Sequence, residues 1–214
     1  MEIKQKVFCV DKPINWTSND VVQFIKHKYK FKKVGHAGTL DPLATGVLVL
    51  GVNEGTKQLF TLIQDDKTYV ADITFGIETT TYDAEGQIIK EIDASKIHIE
   101  QIEEMIKNKF LNDYKQFPPI YSAIKVNGKK LYDYARNNKQ VQIKPRDVKL
   151  FSYKTIKYIN NTLTIELKVS KGFYIRSFAH DLGLALNNHA YISALKRIKS
   201  GTFELKDCLP IEFN

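Results

Sequence analysis

Residues 34–51, VGHAGTLDPLATGVLVLG, constrain this chain more than any other stretch. A glycine-rich segment bearing one histidine and one aspartate runs straight into a short apolar run. Residues 46–52 read as a buried strand, because small and apolar side chains follow one another without polar alternation. Gly35 and Gly38 give the backbone before it freedom to turn sharply and to lie close to a ligand. Asp41 stands between Leu40 and Pro42, and the following proline biases it toward an extended conformation. The segment therefore presents one carboxylate in a fixed pose at the lip of a buried strand. The plain alternative is that Asp41 merely forms a turn ahead of proline, and composition alone favours it.

Familiar motifs do not account for the segment. A P-loop requires G-x-x-x-x-G-K-[ST], whereas Gly46 and Gly51 lead to Val52. The dinucleotide fingerprint G-x-G-x-x-G is absent. A zinc deaminase needs H-x-E followed by P-C-x-x-C. His98-Ile99-Glu100 supplies the first half, but the cysteines are Cys9 and Cys208, so the second half is missing.

Elsewhere the pattern is mixed α and β. Thr17 or Ser18 caps an expected helix whose apolar residues are Val21, Val22, Phe24 and Ile25. Residues 68–75 alternate as a half-exposed strand. Ile99, Ile102, Met105 and Ile106 recur at helical spacing. Residues 148–169 read as two strands flanking Asn160-Asn161, a hairpin signal. Residues 173–186 and 191–198 both read as helices.

A 214-residue chain with 43% hydrophobic residues suits one or two units with a sizeable core. No apolar run approaches the roughly 20 residues that span a bilayer, and MEIKQKVFCV lacks a signal-peptide pattern. Two cysteines at opposite ends make no disulfide framework, so both read as small core or surface residues in a protein of the reducing cytosol. The net charge of +8 is uneven: residues 1–110 hold 14 Lys+Arg against 16 Asp+Glu, and residues 111–214 hold 18 against 8. Residues 125–149 concentrate it in Lys125, Lys129, Lys130, Arg136, Lys139, Lys144, Arg146 and Lys149, opposed by Asp133 and Asp147. A basic surface with interleaved tyrosines fits a nucleic-acid binder, although a solvated basic hairpin or helix explains the cluster equally simply.

A resemblance adds to these readings. GHAGTLDPLATGVLVLG at 35–51, followed by GTK at 55–57, resembles the signature of the tRNA pseudouridine-55 synthases, the TruB family. DKPINWTSNDVV at 11–22, KTYVADITFGIETTTYDAEG at 67–86, PPIYSAIKVNGKKLYDYAR at 118–136, SKGFYIRSFAHDLG at 170–183 and ALKRIKSGTF at 194–203 resemble its other motifs, in the same order. The resemblance implies a pseudouridine-synthase fold: α+β, a mostly antiparallel central sheet flanked by helices, and an RNA-binding cleft. It implies one catalytic domain over residues 1–214, with residues 125–149 as a basic clamp over bound RNA. The implied activity is isomerisation of a uridine in the T loop of tRNA, at position 55, without metal or cofactor. A cytoplasmic monomer follows, with the tRNA T-arm as partner and neither membrane nor obligate protein partner.

Residue roles carry over the same way. Asp41 is implied as the catalytic carboxylate, Arg176 as its salt-bridge partner and Tyr69 as the aromatic that stacks on the uracil. Tyr174 and Leu195 line the pocket, His36 fills the gap left by the flipped nucleotide, and Lys12 and Lys57 contact phosphate or brace the loop. Lys125, Lys129, Lys130 and Arg136 belong to the clamp. Ala37 stands where the family most often has threonine, which removes a hydroxyl from the loop. Many members also continue into a small carboxy-terminal RNA-binding domain of the PUA type, expected to be lacking here because the chain stops at Asn214. Two rival readings are a relative acting on ribosomal or guide-directed RNA, and a catalytically silent RNA-binding protein or tRNA chaperone.

Overall fold

Strands dominate the chain. In order, the elements are β1 (Val7–Lys12), α1 (Ser18–Lys28), β2 (Val34–Ala37), β3 (Thr45–Val52), α2 (Leu59–Leu62), β4 (Lys67–Phe75), β5 (Ile77–Thr79), β6 (Ile88–Glu91) and α3 (Ile99–Met105). There follow β7 (Asn112–Gln116), β8 (Lys125–Val126), β9 (Lys129–Lys130), β10 (Arg146–Ile159), β11 (Thr162–Val169), α4 (Ile175–Ala185), β12 (Ala190–Ser200) and β13 (Phe203–Glu204). This computed structural model describes residues 5–122, 124–126, 128–131, 134, 137 and 141–211. The chain divides into two compact units, one of Met1–Val70 with Leu195–Asn214 and one of Ala71–Ala194.

In the first unit the strand order is β1-β3-β12-β4, with β2 also paired to β3 and β13 to β12. The β1, β2 and β13 pairings are antiparallel, whereas β3 and β12 run parallel through Lys196↔Thr45 and Arg197↔Gly46. β3 is buried from Gly46 to Val52, as its uninterrupted apolar run requires. Its glycines admit neighbouring backbone. A Cβ on Gly46, at φ +99°, would sit 2.1 Å from the Arg197 carbonyl, and one on Gly51 would sit 2.7 Å from that of Gly55. α1 starts at Thr17, whose side chain and that of Asp20 form a capping box, and it buries Val21, Val22 and Ile25.

In the second unit the order is β12-β4-β11-β10-β7. β4 alternates buried and half-buried residues along its length, which matches its period-2 sequence. β10 and β11 pair antiparallel around Asn160 and Asn161, with φ of 49° and 59°. Two central residues at positive φ make the tight hairpin whose twist suits the strands, and asparagine tolerates that region well. α3 buries Ile102 and passes into a π turn, Ile106–Phe110. Phe110 meets Phe178 of α4 edge-on at 5.4 Å and Tyr114 of β7 at 5.3 Å. Each such ring contributes roughly 1.5–3 kcal/mol by burial and fixes α4 against the sheet.

Residues 191–198 are a correction: they lie in β12, a strand, not a helix. Ile192, Leu195 and Ile198 recur every third residue and imitate a helical stripe. The inward positions of the strand are instead Ala190, Ile192, Leu195, Arg197 and Ser200. Two of these are polar, so the true alternation is hidden from a hydrophobicity pattern. Gly35 is a second correction. It lies within β2, where a Cβ would touch Leu59, and the turn of the loop falls to Gly38 alone, at φ +85°.

Candidate active site

The loop between β2 and β3 carries Asp41, and it is braced from several directions by distant parts of the first unit. The Ser18 hydroxyl, 2% exposed, accepts from the Leu40 N–H at 2.8 Å and donates to the Leu40 carbonyl at 3.1 Å. The Pro42 carbonyl accepts from Asn15 N–H at 2.9 Å and from Lys12 Nζ at 3.2 Å. Asp41 closes its own turn, accepting from Ala44 N–H at 3.0 Å, with Pro42 at the position where its fixed φ suits that turn. The residues on both sides of Asp41 are thus anchored, while Asp41 itself is half-buried.

Lys12 is fully buried, and its ammonium also donates to the Pro13 carbonyl at 2.9 Å and to that of Trp16. Its ammonium thus ties the carbonyls of Pro13, Trp16 and Pro42 together beside the Asp41 loop. A buried ammonium needs such a ring of acceptors, since desolvation without them costs several kcal/mol. Lys57 is different: it lies on the surface, paired with Glu54 across one turn.

Arg197 is 1% exposed. Its Nε donates to the Val47 carbonyl at 2.7 Å, one terminal nitrogen donates to the Gly38 carbonyl at 3.1 Å, and the other reaches the Tyr69 hydroxyl at 3.5 Å. The guanidinium carbon lies 6.0 Å from the centre of the Tyr69 ring. One rigid fork thereby ties the start of the Asp41 loop, β3 and Tyr69 together. His36 lies on β2, opposite Leu50, and not in the loop proper. Burial holds its imidazole below the ordinary histidine range, and the Arg197 charge adds to this, so it is neutral at pH 7. Tyr69 and Leu195 are both buried, each 9% exposed.

Arg176 opens α4 in the second unit and is 5% exposed. Its guanidinium donates to the carbonyls of Thr81 at 3.1 Å and Tyr121 at 2.9 Å, and stands 3.4 Å from the Asp83 carboxylate. Asp83 is itself buried and accepts from the Glu85 N–H and the Thr81 hydroxyl. Tyr174, just before α4, is gripped by the buried Gln116 amide, which accepts from its N–H at 2.7 Å and donates to its carbonyl at 2.9 Å. The residues that hold the site residues (Ser18, Arg197, Asp83 and Gln116) carry no signal in the sequence. All four are polar and buried, a property invisible before the fold is known. In the basic segment, Lys125 and Val126 pair with Lys130 and Lys129 as a two-stranded ladder. Arg136 lies outside the described residues, as do the side chains of Lys125, Lys129 and Lys130. Among the described residues, no group of three His, Cys, Asp or Glu side chains is arranged to hold a metal ion.

The family model described as TruB family pseudouridylate synthase (N terminal domain) matches residues 26–175, and the chain belongs to that family, whose members are isomerases. A tRNA pseudouridine synthase B of Ureaplasma urealyticum is 53% identical over 98% of this chain and 92% of its own length. One from Malacoplasma penetrans is 48% identical over 96% of this chain and 89% of its own. Among solved structures, a crystal structure of a Cbf5-Nop10-Gar1 complex is similar with a TM-score of 0.75 and 27% identity. That match covers 96% of this chain, which spans about half (52%) of the chain it matches.

Proposed function

We propose that this protein converts one uridine in the T loop of tRNA, at position 55, to pseudouridine, with Asp41 as the essential carboxylate. The reaction breaks the N1–C1′ bond, turns the detached uracil, joins C5 to C1′, releases the C5 proton and leaves a proton on N1. Atoms balance without oxidation or hydrolysis. A carboxylate suits the work because it is ionised at neutral pH and attacks carbon. The observation that carries the reading is the bracing of the Asp41 loop at Gly38, Leu40 and Pro42. Positioning a nucleophile is worth many kilocalories per mole, and simple RNA binding has no use for a fixed carboxylate that repels phosphate.

Tyr69 is the platform on which the base turns and the candidate acceptor of the C5 proton. Arg176, oriented by Asp83, is assigned to the Asp41 carboxylate as its cation. A neutral His36 ring fills the stack vacated by the flipped nucleotide and offsets part of the few kcal/mol of unstacking. Tyr174 and Leu195 pack around the nucleoside, and Lys57 with residues 125–149 meets the phosphates. The whole chain acts as one catalytic domain, as a cytoplasmic monomer needing no protein partner.

Tritium release from a T-arm stem-loop labelled at uridine C5 tests the reading. Native protein releases tritium; Asp41→Asn binds the RNA with similar affinity and releases none. Tight binding without release by native protein, on the stem-loop and on full-length tRNA alike, overturns it. Binding also weakens as salt rises. Neutralising Lys125, Lys129, Lys130 and Arg136 flattens the plot of log K against log salt by about 0.7–0.9 for each phosphate left without its cation.

A further inference from the structure

The two cysteines, at opposite ends of the sequence, meet in the first unit. A parallel bridge joins Val10 to Leu209. It is made by Leu209 N–H donating to the Cys9 carbonyl at 2.9 Å and by Asp11 N–H donating to the Leu209 carbonyl at 3.4 Å. One position earlier on each side stand Cys9 and Cys208, the latter in extended backbone. As parallel neighbours they project from the same face. Adjacent strands lie about 4.7–4.9 Å apart, inside the roughly 4.4–6.8 Å between Cα atoms that a disulfide spans without distortion.

The side chains follow the backbone. Both sulfurs converge on the carbonyl oxygen of Glu204, at 3.9 Å from Cys9 and 3.7 Å from Cys208. Cys208 packs against the apolar cluster of Cys9, Ala37, Val47 and Val49. Cys9 is 2% exposed, but Cys208 is only half-buried and lines a pocket of about 410 Å³ with Asp11, Thr45 and Lys196. A small solute thus has a route to the Cys208 side of the pair.

We propose that Cys9 and Cys208 form a redox modification site at which a hydroperoxide closes an intramolecular disulfide. The hydrogen bond from Cys208 holds the Cys9 thiol below the ordinary thiol range, while Cys208, which keeps the proton, is pushed up. With hydrogen peroxide, the Cys9 thiolate attacks one peroxide oxygen and the O–O bond breaks. Cys9 becomes a sulfenic acid, and the departing hydroxide takes up the proton that Cys9 gave to solvent, leaving as water. The Cys208 sulfur then attacks the Cys9 sulfur, the S–S bond forms, and the sulfenic oxygen leaves with the Cys208 proton as a second water. Two thiols lose two electrons in total, and one peroxide gains them. Sequence distance makes the pair look inert, because it conceals a contact made by the fold.

The test uses the full chain. Reduced protein is treated with hydrogen peroxide, alkylated, digested and analysed by mass spectrometry, and its melting temperature is followed beside a reduced sample. The expected result is loss of both free thiols in the monomer and a cross-linked peptide pair containing Cys9 and Cys208. The melting temperature rises by roughly 5–15 °C, since the bridge closes nearly the whole chain, and dithiothreitol reverses the change. Cys208→Ser protein, treated alike, accumulates sulfinic or sulfonic acid at Cys9 and shows no rise. Two persistent thiols in the native protein, separate over-oxidation of each cysteine, or cross-links only between molecules would overturn the proposal.

Discussion

Replacing Arg197 by methionine removes a buried fork while keeping most of its volume. Two carbonyls, those of Val47 and Gly38, are deprived of charged donors at 2.7 and 3.1 Å, and the Tyr69 hydroxyl of a longer interaction at 3.5 Å. Hydrogen bonds to charged groups contribute about 1.5–3 kcal/mol each, so the two short ones are worth roughly 3–6 kcal/mol. Relief of the buried cation's desolvation offsets part of this, leaving a net loss of roughly 2–4 kcal/mol. For a chain of this size that lowers the melting temperature by roughly 5–15 °C. The effect on turnover should be larger than the effect on binding. Arg197 is 1% exposed, so RNA affinity changes by less than about threefold, whereas a slackened Asp41 loop costs about 10²-fold in kcat. Single-turnover product formation, filter binding and calorimetry on the same preparation separate these. The His36 imidazole supplies a further reading by proton NMR. Its pKa rises when the Arg197 charge is removed but stays below the ordinary value, because burial, the larger cause, remains. A variant with unchanged melting temperature and kcat within twofold of native would refute the bracing argument.

Two smaller perturbations follow the same logic. Ser18→Ala deletes both hydrogen bonds to Leu40 and should destabilise the fold by about 1–3 kcal/mol in urea titration, with kcat falling more than RNA affinity. Asp181 is pushed up from 3.8 to about 6 by burial, against a smaller opposing pull from Lys109. Its folded form therefore prefers the proton. The stability this confers is complete below about pH 4 and is lost as pH rises through about 6. Asp181→Asn should match native stability near pH 4 and exceed it by roughly 1–3 kcal/mol at pH 8, read from urea midpoints.

What sequence could and could not reveal divides along chain distance. The Asn160-Asn161 hairpin is legible because turn chemistry is written into adjacent residues. So is α1, whose capping box lies within four positions. The loop bearing Asp41 stands out through its glycines and proline. Its braces do not: Ser18 is 22 residues away, Lys12 is 30 from Pro42, and Arg197 is 150 and 159 from the carbonyls it holds. No local pattern signals a serine that will be buried, or an arginine that will occupy an inward strand position. That same arginine, together with Ser200, breaks the apolar alternation of β12 and makes a strand look helical. One buried polar choice thus conceals both an element and the residue that braces the site.

The first unit is assembled from the beginning and the end of the sequence, with the whole second unit between them. During synthesis, Val47 precedes Arg197 by 150 residues. At about 5–20 residues per second, the β3 loop therefore waits roughly 8–30 s after emerging before its guanidinium exists. Meanwhile Ala71–Ala194, a contiguous stretch, is free to fold first. A chain halted by the ribosome short of Arg197 would hold Asp41 on a slack loop, however well the rest had folded. Competence thus waits on Arg197, 150 residues after Val47, and a product truncated before it would have little power to modify RNA.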